Sequence, residues 1–153
     1  MPAEQSTPDV VLAALTDLEA RLRRDLAGLA AVERNTVAGH PVWAVHPQRP
    51  RALPVSWMAG SDELFLWAGA QHRGGAWELD PSVEDAEFVE AVVRAVAAGR
   101  VTETSALARS RVDVVLHDGR RVQQTGFAGC FPGLLPLPGW RRWGRVTRYE
   151  PYS

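Results

Sequence analysis

Residues 8–32 constrain the fold of this chain more than any other stretch. Val11, Leu15, Leu18, Leu22, Leu26 and Leu29 recur at steps of three and four, which draws one apolar stripe along a helical period. Asp17, Glu19, Arg21, Arg23, Arg24 and Asp25 fill the other face. Asp17/Arg21, Glu19/Arg23 and Arg21/Asp25 are spaced for ion pairs one turn apart. Thr7-Pro8-Asp9 opens the helix with a hydroxyl cap, a proline where no backbone donor is needed, and an acid at the positive end of the dipole. The pattern predicts a helix over about residues 8–32. Such a helix needs an apolar surface to lie on, and the rest of the chain must supply it.

The middle of the sequence has the right character. "HPVWAVHP", "ALPVSWMAG", "ELFLWAG" and "GAWELD" are short, rich in Val, Trp and Phe, and separated by Pro, Gly, Ser and Asp. Gly60-Ser61-Asp62 forms a hairpin turn between the second and third. Alternation sets Trp77 and Leu79 on one sheet face and Glu78 and Asp80 on the other. A second helix follows, with Ser82 and Asp85 as a capping pair, Phe88, Val92 and Val96 as its buried stripe, and Gly99 as its stop.

Strands then return. In "SRVDVVLHDGRRVQQTGF", Val112, Val114 and Leu116 alternate with Asp113, Val115 and His117, and Asp118-Gly119 marks a tight hairpin. "RVTRYEPY" adds an edge strand that Pro151 ends. The expected fold is α+β in a single domain spanning 1–153: an antiparallel sheet of about five to seven strands, with a long N-terminal helix and a shorter second helix on one face. Residues 1–7 read as a flexible N-terminus and residues 128–144 as a Pro/Gly-rich flap.

Composition narrows the chemistry. All 17 basic residues are arginine, so Schiff-base chemistry, pyridoxal attachment and a phosphate-loop lysine are excluded. The one cysteine, Cys130, has no intramolecular disulfide partner, and no Cys/His spacing suggests zinc. The opening residues lack the basic and apolar regions of a signal peptide, and no run approaches the roughly 18 apolar residues of a membrane span. These features point to a cytoplasmic protein with no membrane role. Net charge is −1, yet residues 1–93 hold 7 Arg against 14 acids, and residues 94–153 hold 10 Arg against 4. That asymmetry suits either a polar partner face or two halves that neutralise each other.

No catalytic, cofactor or metal motif stands out, and the enzyme reading is the lesser one. His40, His46, His72 and His117 are scattered, without ligand spacing. Cys130 has no adjacent base to activate it and reads as a structural thiol. Trp43, Trp57, Trp67 and Trp77 each fall in a predicted strand, where they build a core or line a cavity. In the cavity version, His46, His72, His117 or Cys130 would stand at its mouth, and the protein would be a small-molecule binder or small enzyme. Glu78, Asp80, Glu84, Asp85, Glu87 and Glu90 form the other candidate, six carboxylates with no base among them. They define an acidic face for a basic protein partner, or else a solvated surface.

The stretch "CFPGLLPLPGWRRWG" at 130–144 raises a separate question. Pro132, Pro136 and Pro138 prevent a sustained amphipathic helix, which argues against membrane anchoring. Trp140, Arg141, Arg142, Trp143, Arg145 and Arg148 could stack on bases and bind phosphates, but the chain as a whole is not basic, which argues against nucleic acid. Phe131, Leu134, Leu135 and Leu137 favour a flap over the protein's own apolar surface, with docking to another chain as the alternative.

The segment "GAWELDPSVEDAEFVEAVVRAVAAGRVTE", followed by Arg-rich strands joined through Asp-Gly, resembles small actinobacterial α+β proteins of the toxin-immunity or secretion-chaperone-like type. The resemblance covers about residues 60–126 and rests on pattern. It implies a compact, non-enzymatic protein-binding module, without a cofactor, that occludes a basic partner through the six acids.

Overall fold

The computed structural model describes residues 8–69, 76–106, 109–127, 139, 142 and 144–153. Residues 1–7 and most of the 128–144 segment, including Cys130, lie outside the described residues, as does His72. The order is α1 (Pro8–Asp25), β1 (Ala30–Val37), β2 (His40–Pro47), β3 (Val55–Ala59), β4 (Leu64–Ala68), β5 (Ala76–Leu79), α2 (Val83–Ala97), β6 (Val101–Ala106), β7 (Arg109–Val115), β8 (Arg121–Phe127) and β9 (Arg145–Arg148). The expected α+β class and its two helices hold. The strands divide into two antiparallel sheets, one ordered β1-β2-β3-β4-β5 and the other β8-β7-β6-β9.

α1 stops seven residues short of the predicted end. Gly28 takes φ +77, a left-handed position that glycine adopts freely, and the Leu29 and Ala30 amides both turn back to the Leu26 carbonyl. The residues expected to continue the helix instead form β1, which pairs with β2 along its whole length, from Ala30↔Pro47 to Val37↔His40. Val11, Leu15, Leu18 and Leu22 are buried as the stripe requires.

The ion pairs on the polar face follow the fold. Glu19–Arg23 forms within the helix at 2.7 Å. Arg21 reaches across to Glu90 of α2 at 2.6 Å, and Asp25 is taken by Arg94 at 2.8 Å. Long-range partners have displaced the expected Arg21/Asp25 pair.

One cluster of buried side chains links both helices and both sheets. Trp43 and Trp57, directly opposed on β2 and β3, are fully buried and stacked at 6.0 Å with 10° between their planes. The Trp43 indole donates to Glu19 at 2.7 Å, and Arg34 lies 5.1 Å above its ring, so the apolar wall carries one charged seam facing α1. Leu64 and Leu66 continue the wall on β4, and Trp77 on β5 meets Phe88 of α2 edge-on at 6.3 Å. Val89, Val92, Val93 and Val96 bury α2 against both sheets.

Two local devices anticipated from sequence are in place. Ser82 caps α2, its hydroxyl accepting from the Asp85 amide at 3.0 Å. Asp118 caps the β7–β8 turn through the Arg120 amide at 2.9 Å, with Gly119 at φ +85. Tyr152 ties α2 to the connection between β2 and β3. Tyr152 is buried, its amide donating to Ala97 and its hydroxyl to the Leu53 carbonyl at 2.6 Å. Burial pushes the Tyr152 hydroxyl well above the ordinary tyrosine range. Gly99, at φ +73, lies so close to Pro151 that a Cβ there would fall 2.9 Å from the proline nitrogen.

Candidate docking face

The face of the five-stranded sheet turned away from the helices is built by strict alternation. Leu64, Leu66 and Ala68 point into the core, so Phe65 and Trp67 point out, half-buried and stacked at 5.7 Å with 15° between planes. Register sets Met58 on one side of Phe65 and Glu78 on the other, and Ser56 and Ala76 on either side of Trp67. Neither Phe65 nor Trp67 joins the core cluster. The result is an aromatic strip on a sheet surface, with an exposed carboxylate beside it.

More acids gather at one end of that strip. Leu64 pairs with Leu79, so the next step of the register puts Glu63 beside Asp80. Asp62 precedes them in the β3–β4 turn, and all three are exposed. Beyond Asp80 the chain enters α2, whose first turns expose Glu84 and Glu87. Asp62, Glu63, Glu78, Asp80, Glu84 and Glu87 have no ion-pair partner among the described residues.

The two remaining acids of the expected set are engaged internally. Glu90 accepts from Arg21 at 2.6 Å and from Arg94 at 2.8 Å. Burial pushes its pKa up, but those two guanidinium hydrogen bonds prevail and hold it below the ordinary value. Asp85 is partly buried at the helix start. Burial, with Asp80 and Glu84 adding to it, raises its pKa against the Ser82 contact. Glu78, Asp80, Glu84 and Glu87 therefore remain outward-facing, and Asp62 and Glu63 join them. Asp62 and Glu63 were not among the expected acids, because it is the β4–β5 register that sets Glu63 beside Asp80.

Glu87 also borders a groove of about 240 Å³ between α2 and the β7–β8 turn, lined further by Ala91, Leu116 and His117. The expected aromatic pocket is distributed differently. Trp43 and Trp57 fill the core against one another, Trp77 packs on Phe88, and Trp67 lies on the opposite sheet face. His46 is exposed on that outer face, 3.8 Å from Glu33, and His117 stands at the β7–β8 turn. The described members do not converge, and His72 and Cys130 fall outside the described residues. The Trp57 indole nitrogen is buried with no hydrogen-bond partner among the described residues.

The four-stranded sheet carries a buried polar cluster that was not among the expected sites. Glu103 is 6% exposed and accepts hydrogen bonds from the Ser110 and Tyr149 hydroxyls. Burial, then the bond to Glu103, pushes the Tyr149 hydroxyl well above its ordinary pKa. In sequence, Glu103 sits in "VTETSAL" and looks like a solvent-facing strand acid; alternation with buried Val101 was the available signal.

Among the described residues no group of His, Cys, Asp and Glu is placed to hold a metal ion, and no helix is long and apolar enough to cross a membrane. Comparison with protein-family models, curated proteins and solved structures gave no match to the chain.

Proposed function

We propose that the protein is a non-enzymatic binding module that occludes a basic protein partner, in the manner of an immunity or chaperone-like protein. One observation carries the reading: the Phe65–Trp67 stack shares its sheet face with Glu78, and the register brings Glu63 and Asp80 to the same end. Aromatic anchors surrounded by charge are the usual anatomy of a protein interface, in which the rings supply contact energy and the rim supplies steering. Glu63, Glu78 and Asp80 on this face attract a basic surface over about a Debye length, roughly 8 Å at physiological salt. Partner side chains with both apolar length and positive charge suit the strip, since an Arg or Lys stem packs on Trp67 while its head meets Glu78. The resemblance to toxin-immunity and secretion-chaperone-like proteins supports the same reading.

The test separates rim from anchor. The tagged chain is used to capture proteins from lysate at low and high salt, alongside Glu63→Arg/Glu78→Arg/Asp80→Arg and Phe65→Ala/Trp67→Ala. The expected result is one dominant basic protein, released by high salt and lost with either variant. Capture that is indifferent to both variants would show that this face is not the binding surface.

A further inference from the structure

β9 is the outermost strand of the four-stranded sheet and is paired on its β6 side. The Tyr149 amide donates to the Val101 carbonyl, so residues 145, 147 and 149 aim their backbone polar groups at β6. Val146 and Arg148, in the alternate phase, turn theirs away from β6, to an edge where no described residue pairs with them. Glu150 shares that phase, and its outward amide donates to the Arg51 carbonyl at 3.1 Å. Arg51 thus stands where a neighbouring strand would begin. Alongside Val146 and Arg148, that lane is a groove of about 510 Å³ lined by Arg51, Arg145, Val146, Thr147 and Arg148.

The groove is cationic on both sides of the strand. Arg148 and Val146 project from one sheet face, and Arg145 and Thr147 from the other. Arg145 and Arg148 are exposed and have no ion-pair partner among the described residues. Among the described residues Arg51 has only a 3.6 Å contact with Glu150, between side chains 79% and 42% exposed, which holds it weakly. Val146 is 56% exposed and offers an apolar contact between the arginines.

We propose that β9 receives an extended acidic peptide as an added strand, its backbone paired to Val146 and Arg148 and its carboxylates met by Arg51, Arg145 and Arg148. The edge favours a peptide over a phosphodiester for a specific reason. It presents two carbonyls as well as two amides, and those carbonyls need N–H donors that a peptide backbone supplies and a phosphate lacks. The site is independent of the aromatic strip, and its partner has the opposite charge.

Fluorescence polarisation with a labelled peptide of alternating Glu and Val tests this. Val146→Pro deletes one outward donor, and because that amide does not face β6, the sheet is left paired. Arg145→Glu/Arg148→Glu reverses the charge. The proline should weaken binding several-fold, the effect of one lost neutral hydrogen bond, and the charge reversal at least about tenfold. The same peptide N-methylated at alternate amides should bind the unaltered protein equally poorly, which repeats the backbone test without altering the fold. No binding of the parent peptide would overturn the proposal. So would full affinity of the N-methylated peptide, or displacement of the parent by an equal concentration of a short single-stranded oligonucleotide.

Discussion

The five-stranded and four-stranded sheets bury their inner faces by different means. On the five-stranded sheet the buried residues are apolar throughout: Trp43, Val45, Val55, Trp57, Leu64, Leu66 and Trp77. The charge that approaches this wall, Glu19, comes from α1 and is met by the Trp43 indole and by Arg23. On the four-stranded sheet, Val101, Val112 and Val114 are apolar, but Glu103 and Ser110 are buried beside them. The first sheet is held by shape and area, and the second in part by a hydrogen-bonded cluster that tolerates no missing member. A defect in the first leaves a hole. In the second it leaves hydroxyls without an acceptor.

That contrast is open to measurement. Trp57→Ala should have the largest effect, about 3–5 kcal/mol by urea denaturation, because it empties space at the centre of the stacked pair. A loss under about 1 kcal/mol would mean that the wall collapses to fill the space and is not packed as described. Glu103→Ala should cost about 2–3 kcal/mol, since Ser110 and Tyr149 both lose their acceptor, and Glu103→Gln should restore part of that. If Glu103→Ala were as stable as the parent, the two sheets would not differ in the way proposed.

The smallest effect lies between the helices. Glu90 has a folded-state pKa below its ordinary 4.5, so its pairs with Arg21 and Arg94 stabilise the fold above that value and are lost as pH falls through the lower, folded-state pKa. Asp85 runs the other way: its raised pKa favours the protonated acid, and that contribution is lost as pH rises through it. Glu90→Gln should therefore reduce stability at neutral pH by under about 1 kcal/mol and flatten its decline in acid. An unchanged acid limb in the thermal melt would show that the Arg21–Glu90–Arg94 chain contributes nothing.

Local chemistry was the legible part of the fold. The α1 stripe, the Ser82 cap, the Asp118-Gly119 turn and the Trp77/Glu78 alternation all depend on neighbours in sequence. β1 was not legible, because "AAVERNTV" has little strand preference of its own and becomes a strand by pairing with β2. Gly28, the signal that ends α1, was present but was outweighed by Leu29 continuing the stripe. The docking face was half legible for the same reason. Glu78 and Asp80 could be placed by period, but Glu63 needed register, and Glu90 needed its partner 69 residues away on α1.

Two of the edge strands, β1 and β9, differ in how their outward backbone groups are met. On β1, the Arg23 side chain of α1 donates to the outward Val32 carbonyl at 3.2 Å, which occupies a position an incoming strand would need. β9 has no such latch among the described residues along Val146 and Arg148. A fibre grows only if each added unit offers a fresh rim for the next, and the Arg23 contact stands against such growth at one position of β1. A strand received at β9, as proposed, would thus meet a different backbone edge from the one at Val32 of β1, where the Arg23 side chain works against the same addition.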